Sequence, residues 1–243
     1  MLMSKSSRTA SGRTKAGLPH SWNGIFTVGA VAAFGYVVLG IVAPALLYFP
    51  VGYPRTSDGE TLLTFIADHR GWWLALQTLT LGPGFLAIPV FAAIFVALSQ
   101  VEKGYAAVGS ILAISCQILF VSFYPGTLGM LFLSDQYAAA DPERRQDLVA
   151  AAEAVTAPLD AYNPLYETVF AVSVLILSLV MLRGVFSRWT AFLSIAAAAS
   201  ELIGVSLLSL IGMGYFWWWL VFAVWFLAVG WNLWQMRSAA PVE

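Results

Sequence analysis

Hydrophobic residues along the chain fall into six long runs that are separated by polar segments. The runs lie near residues 24–48, 72–99, 105–133, 166–183, 189–212 and 215–235. A helix needs about 20 mostly apolar residues to cross the hydrocarbon core of a bilayer, and each run meets or approaches that length. Inside lipid the backbone must satisfy its own hydrogen bonds, which a helix does within one segment. The pattern therefore predicts an all-α bundle of six transmembrane helices.

Composition strengthens the membrane interpretation. Hydrophobic residues make up 60% of the 243 residues and charged residues only 10%, whereas soluble domains carry about 25% charged residues. The net charge of −1 provides no general attraction for nucleic acid, so no such partner is expected. Membrane lipids are the expected partners.

Basic residues near the ends of the runs predict the orientation. If the N-terminus is cytoplasmic, the segments on that side hold eight lysines and arginines, and the opposite side holds four arginines. Cytoplasmic segments are enriched in these residues. The chain is therefore predicted to lie in the cell membrane, in bacteria the inner membrane, with both termini in the cytoplasm. Residues 1–23 then form a disordered basic tail, and residues 236–243 a short second tail.

Two longer connections on the predicted outer side carry helix patterns of their own. In the first, Ser57 and Glu60 have the spacing of a capping box, and the apolar stripe that follows predicts a short amphipathic helix at the outer surface. In the second, Asp141 suits a helix N-cap, and Pro158 and residues 162–164 (Tyr-Asn-Pro) are expected to end the helix. The outer loops are thus predicted to contain two short amphipathic helices.

Glu201 interrupts the fifth apolar run near its middle. A charged acid at the centre of a membrane helix costs about 2.5–3.5 kcal/mol, so its presence calls for an explanation. One interpretation is a protonated glutamate that hydrogen bonds to Gln117 of the third run inside the bundle. A second is a ligand-binding or proton-binding site, and a third is an outward-facing contact with a partner protein.

Other polar residues could share a pocket with Glu201, opening to the outer side and floored by Glu201 and Gln117. The members of this predicted ligand-binding set are Gln77, Gln117, Tyr124, Asn163, Glu167 and Glu201. Residues 82–84 (Gly-Pro-Gly), Pro89 and residues 124–126 (Tyr-Pro-Gly) predict kinked or broken helices. Transporters often bind their substrates at such breaks.

The sequence contains none of the common catalytic motifs. HExxH, GxSxG and the phosphate-binding GxxxxGK[ST] pattern are absent, and the two histidines, His20 and His69, lie outside the apolar runs. No metal or cofactor is expected, and a non-enzymatic role is favoured over catalysis. The favoured function is an accessory protein that binds a small polar or hydrophobic ligand or a lipid. The alternatives are a proton-coupled transporter that uses Glu201 and a structural subunit of a homo- or hetero-oligomeric complex.

The order of these segments resembles a family of uncharacterised bacterial six-span integral membrane proteins. The resemblance is carried by Tyr-Phe-Pro at 48–50, GETLLTFIADHRGWW at 59–73 and LSDQYAAADPERRQDLVAAAEAV at 133–155. It covers most of residues 24–235 and implies the six-span fold. It implies no function, cofactor or binding residue.

Overall fold

Seven α-helices make up the part of the chain that the computed structural model describes, residues 22–42, 58–207 and 215–238. Within it, the side chains of residues 42, 123–125, 159–163, 215–219 and 238 lie outside the description. The helices are α1 (Asn23–Val37), α2 (Gly59–Asp68), α3 (Arg70–Leu98), α4 (Lys103–Ala139), α5 (Pro142–Met181), α6 (Arg188–Ser206) and α7 (Tyr215–Ser238). A π-helical segment, Val38–Val42, continues α1. No strand occurs in the described residues, which confirms the all-α prediction.

Several helices have the length and composition of membrane spans. Five such segments are found in the described residues: Asn23–Ile41, Arg70–Leu98, Lys103–Ala139, Pro164–Met181 and Arg188–Ser206. Large apolar side chains such as Ile111, Leu179 and Phe192 are exposed on the outside of these helices, as expected of a surface that faces lipid. The predicted sixth span coincides with α7, but its membrane crossing stays a prediction.

The six long helices form a closed ring around an aromatic centre. Each packs on the next in the order α1, α3, α4, α5, α6, α7, and α7 returns to α1. The ring of Phe91 on α3 lies 5.7 Å from that of Phe170 on α5, and 6.1 Å from that of Trp225 on α7, between centroids. The centre of the bundle is therefore filled by side chains from non-neighbouring helices.

Glycines allow α1 and α3 to approach closely. A Cβ atom added at Gly29 would lie 2.5 Å from Cβ of Ala93, and one added at Gly82 would lie 2.8 Å from Cδ1 of Leu39. The predicted breaks in α3 do not occur, because the helix continues through both Pro83 and Pro89. The irregular backbone is instead in α1, whose π-helical segment faces Pro83 through Gly40.

A second, smaller hydrophobic cluster lies at one end of the ring. We call this part the cap, formed by α2, the first turn of α3 (residues 70–73), residues 130–139 of α4 and residues 142–157 of α5. Its buried members are Leu62, Leu63, Ile66, Trp73, Met130, Tyr137, Leu148 and Ala152. The apolar stripe of α2 therefore packs against protein, and the position of α2 at the outer membrane surface stays a prediction. We call the opposite end, with the turns at 99–102 and 182–187, the turn end.

The second outer helix is not separate from the fourth span. The helix begins at Asp141, as predicted, but it passes Pro158 and Pro164 and continues to Met181. With 40 residues, α5 is about 60 Å long. A single helix therefore links the cap to the turn end.

The N-cap of α2 also differs from the predicted one. The side chain of Asp58 accepts hydrogen bonds at the helix start, from the backbone N–H of Glu60 at 3.3 Å and of Thr61 at 3.2 Å. Ser57 lies outside the described residues. The Glu60 carboxylate accepts a hydrogen bond from the Tyr137 hydroxyl at 2.7 Å.

Acidification is expected to weaken the N-cap of α2. The pKa of Asp58 lies below its ordinary value because the Thr61 hydroxyl and the N–H groups of Thr61 and Glu60 hydrogen bond to the carboxylate. Such a group stabilises the fold above its unfolded pKa of about 3.9, and the contribution is lost as pH falls through the lower folded pKa. Hydrogen-exchange protection of the α2 amides should therefore decrease below about pH 4.

Asp58→Asn provides the control, because asparagine caps a helix without titrating in this range. Its α2 protection should decrease less than that of the wild type as pH falls from about 5 to about 2.5. Wild-type and Asp58→Asn profiles that fall in parallel would show that another group controls the acid response.

Candidate functional site

Gln117 takes part in a buried polar contact between α4 and α5. Its Nε2 donates a hydrogen bond to the Tyr166 hydroxyl at 2.9 Å, and Gln117 is only 2% exposed. The Tyr166 ring lies between Phe120 and Phe170, with centroid distances of 5.4 and 6.0 Å. Gln117 therefore pairs with Tyr166, and the hydrogen bond predicted between Gln117 and Glu201 is not the one observed.

Glu201 faces the interior of the ring. It is 2% exposed and lies on the buried face of α6 with Ala197, Ala198 and Gly204. This position argues against the outward-facing partner contact. The Tyr36 side chain of α1 lies within electrostatic range of the Glu201 carboxyl. Glu201 is therefore enclosed by protein, and Tyr36 of α1 is among its neighbours.

Tyr36 and Tyr166 extend this polar region across the bundle. Both are buried, and they lie within electrostatic range of each other. Tyr36 also stacks on Phe226 of α7, with a centroid distance of 3.7 Å. These tyrosines were not predicted from the sequence, because a tyrosine in an apolar run is counted as hydrophobic. A buried tyrosine hydroxyl usually has a hydrogen-bond partner, so each tyrosine in an apolar run could have been treated as a candidate polar contact.

Glu167 provides a second buried acid at a similar depth. It is 14 residues before Met181, the last residue of α5, and Glu201 is 13 residues after Arg188, the first residue of α6. At 1.5 Å per residue, both are about 20 Å from the turn that joins the two helices. Since α5 and α6 pack side by side, the ring carries two buried carboxyl groups in one layer, and both belong to the predicted ligand-binding set.

Gln77 belongs to a different polar contact. The Thr127 hydroxyl donates to its Oε1 at 2.8 Å, and the indole N–H of Trp73 donates to the Thr127 carbonyl oxygen at 3.3 Å. Thr127 is ten residues from Gln117 on α4, about 15 Å along the helix. Two other members of the predicted set, Tyr124 and Asn163, have side chains outside the described residues, so their roles stay predictions.

We call the buried set Tyr36, Gln117, Tyr166, Glu167 and Glu201 the core polar layer. It contains two carboxyl groups, one amide and two phenols, and the rings of Phe120, Phe170 and Phe226 pack against its two tyrosines. Carboxylates bind cations and hydrogen-bond donors, and the faces of aromatic rings attract cations. The chemistry of this layer suits a proton or a small ligand with a protonated nitrogen.

A groove of about 480 Å³ lies in the cap, apart from the core polar layer. Its walls are contributed by α2, the end of α4 and the start of α5. The lining residues that carry its chemistry are Glu60, Tyr137, Arg145, Gln146, Val149 and Glu153. This groove was not predicted from the sequence, because α2 and α5 are distant in the chain and meet only in the folded cap.

The comparisons with protein-family models, curated proteins and solved structures find no match to this chain. The resemblance to a six-span membrane family therefore stays a prediction.

Proposed function

We propose that this chain is a non-enzymatic, multi-pass membrane protein that binds a small ligand in the core polar layer. The observation that carries the proposal is the burial of Glu167 and Glu201 in one layer of a ring of apolar helices. Ionisable residues inside membrane spans are costly, and those that occur there commonly serve a function. A lipophilic amine is the ligand class that matches carboxyl groups set among aromatic rings.

We also propose six spans, with both termini on the cytoplasmic side. Support for the sixth span comes from α7, whose 24 residues extend about 36 Å and pack against α1 and α6 in the same core. Trp189 of α6 and Trp231 of α7 are exposed near the turn end, as is common for tryptophan at a membrane interface. The excess of lysine and arginine in the predicted inner segments supports the orientation.

The proposal predicts that ligand retention depends on Glu201 and Gln117. Native mass spectrometry of the mildly extracted protein would first identify the co-purifying small molecule and its occupancy. We expect Glu201→Gln and Gln117→Leu to reduce that occupancy at least tenfold, a loss of about 1.4 kcal/mol or more in binding. Gln77→Leu is the matched control, because Gln77 is a buried amide outside the core polar layer.

Two results would oppose the proposal. One is equal ligand occupancy in all three variants with comparable losses of thermal stability, which would assign the core polar layer to packing alone. The other is a wild-type protein that carries no small molecule under conditions in which its fold is retained.

The position of Glu167 favours proton-coupled transport as a second candidate function. Two carboxyl groups at a similar depth on adjacent helices provide a donor and an acceptor for a transferred proton. The Glu201→Gln variant separates the two functions when the protein is reconstituted in vesicles that contain a pH-sensitive dye. Proton uptake driven by a potassium diffusion potential, present in wild type and abolished in the variant, would favour the transporter.

A further inference from the structure

The position of α2 on α5 is tightly defined at the cap groove. A Cβ atom added at Gly59 would lie 2.7 Å from the carbonyl oxygen of Val149, so only glycine permits this approach. The backbone N–H of Gly59 donates to Oε1 of Glu153 at 3.4 Å. Glu60, the next residue of α2, is consequently held beside the wall that Glu153 forms.

Tyr137 lies between Glu60 and Arg145 in the groove. Its hydroxyl donates to Oε1 of Glu60 at 2.7 Å, and the guanidinium carbon of Arg145 lies 5.3 Å from the centre of its ring. The order of groups along the groove is therefore Glu153, Glu60, Tyr137 and Arg145. One region is acidic and the other is basic.

The spacing of these charges limits the ligand. Arg145, Val149 and Glu153 recur every four residues on α5 and line the same groove. Eight residues of helix place the Cα atoms of Arg145 and Glu153 about 12 Å apart. An extended chain spans about 3.3–3.6 Å per residue. When the reach of the Arg145 and Glu153 side chains is subtracted from their Cα–Cα distance, the remaining length is comparable to that between the charged ends of a di- or tripeptide.

We propose that the cap groove binds a short zwitterionic peptide, with its ammonium group at Glu60 and Glu153 and its carboxylate at Arg145. Val149 supplies an apolar wall for small side chains, and the Gln146 amide can hydrogen bond to the peptide backbone. The volume of about 480 Å³ lies within the range of small-molecule sites. This site is separate from the core polar layer, and its existence does not depend on the proposed function.

The test uses trialanine with the full-length protein in detergent, and equilibrium dialysis measures the bound fraction. Three related probes each change one feature: N-acetyl-trialanine lacks the ammonium group, trialanine amide lacks the carboxylate, and free alanine has both charges but lacks the length. We expect trialanine to bind at least tenfold more tightly than each of the other three.

Variants locate the binding site. Arg145→Gln and Glu153→Gln should each weaken trialanine binding at least tenfold. Arg144→Gln is the control for the arginine, since Arg144 pairs with Asp147 and does not line the groove. Glu143→Gln is the control for the acid, because Glu143 is exposed on the first turn of α5 outside the groove.

Three results would overturn this proposal. They are the absence of trialanine binding to the wild type, equal binding of the acetylated or amidated peptide, and equal losses in the groove variants and their controls. Hydrogen-exchange protection of α2 in each variant confirms that the cap is folded, so that lost binding cannot be attributed to an unfolded cap. Binding of an amine at the core polar layer is measured independently, and neither result determines the other.

Discussion

Gly29→Ala is expected to destabilise the helix ring by about 1–3 kcal/mol, although it adds only one methyl group. The added Cβ would lie 2.5 Å from Cβ of Ala93 and 3.2 Å from Cδ1 of Leu233. These atoms belong to α3 and α7, the two neighbours of α1 in the ring. The Leu233 side chain can shift, but relief of the contact with Ala93 requires α1 to move away from α3.

Gly24→Ala is the matched control on the same helix. No heavy atom lies within 4 Å of the Cβ position at Gly24. Alanine is favoured over glycine within a helix by about 0.5–1 kcal/mol, so this variant should be unchanged or slightly more stable. SDS-induced unfolding followed by tryptophan fluorescence measures both variants, and equal stabilities would show that α1 does not pack closely against α3 and α7.

Trp225→Ala is expected to have the larger effect, a loss of about 3–5 kcal/mol. The Trp225 side chain is fully buried, and its indole N–H donates to the Ser194 hydroxyl at 2.5 Å. Its ring also packs on Phe222 and Phe226, with centroid distances of 5.8 and 4.7 Å. Removal of the indole would therefore leave a cavity and an unused hydrogen-bond group at the contact between α6 and α7.

Trp231→Ala removes the same side chain from the same helix but from its outer face, where Trp231 is 57% exposed. Its loss should cost less than about 1 kcal/mol, as is usual for surface substitutions. Helicity measured by circular dichroism during thermal unfolding is the suitable readout, since both variants alter tryptophan fluorescence. Equal effects of the two substitutions would contradict a core centred on Trp225.

Local signals in the sequence were sufficient for the helices but not for every boundary. Asp141 was predicted to cap a helix, and its carboxylate accepts a hydrogen bond from the N–H of Arg144 at 2.9 Å. Pro158 was predicted to end that helix, and it does not. A proline inside a helix costs about 3 kcal/mol, but the segment before it is held in the cap through Leu148 and Ala152. Packing between distant parts of the chain outweighs the local preference.

The candidate site was predictable only in part, for a related reason. The sequence analysis placed Gln117 inside the bundle, and Gln117 is buried in the structure. Its partner depends on the order of helices in the ring, and α5 rather than α6 lies beside α4 at this depth. Nothing in the spacing of residues along one helix specifies which helix comes next. The cap groove depends on the same kind of information, because Glu60 and Glu153 are 93 positions apart.

The uninterrupted course of α5 has a mechanical consequence. This one helix carries Arg145 and Glu153 in the cap groove, and Tyr166 and Glu167 in the core polar layer. Glu153 and Glu167 are separated by 14 residues, about 21 Å of helix. A shift of α5 along its axis on peptide binding would move both acids together, except where Pro158 and Pro164 weaken the backbone between them. The cap groove and the core polar layer are thus connected through α5, which is weakened between them at its two prolines. Any coupling between the two sites acts equally in both directions.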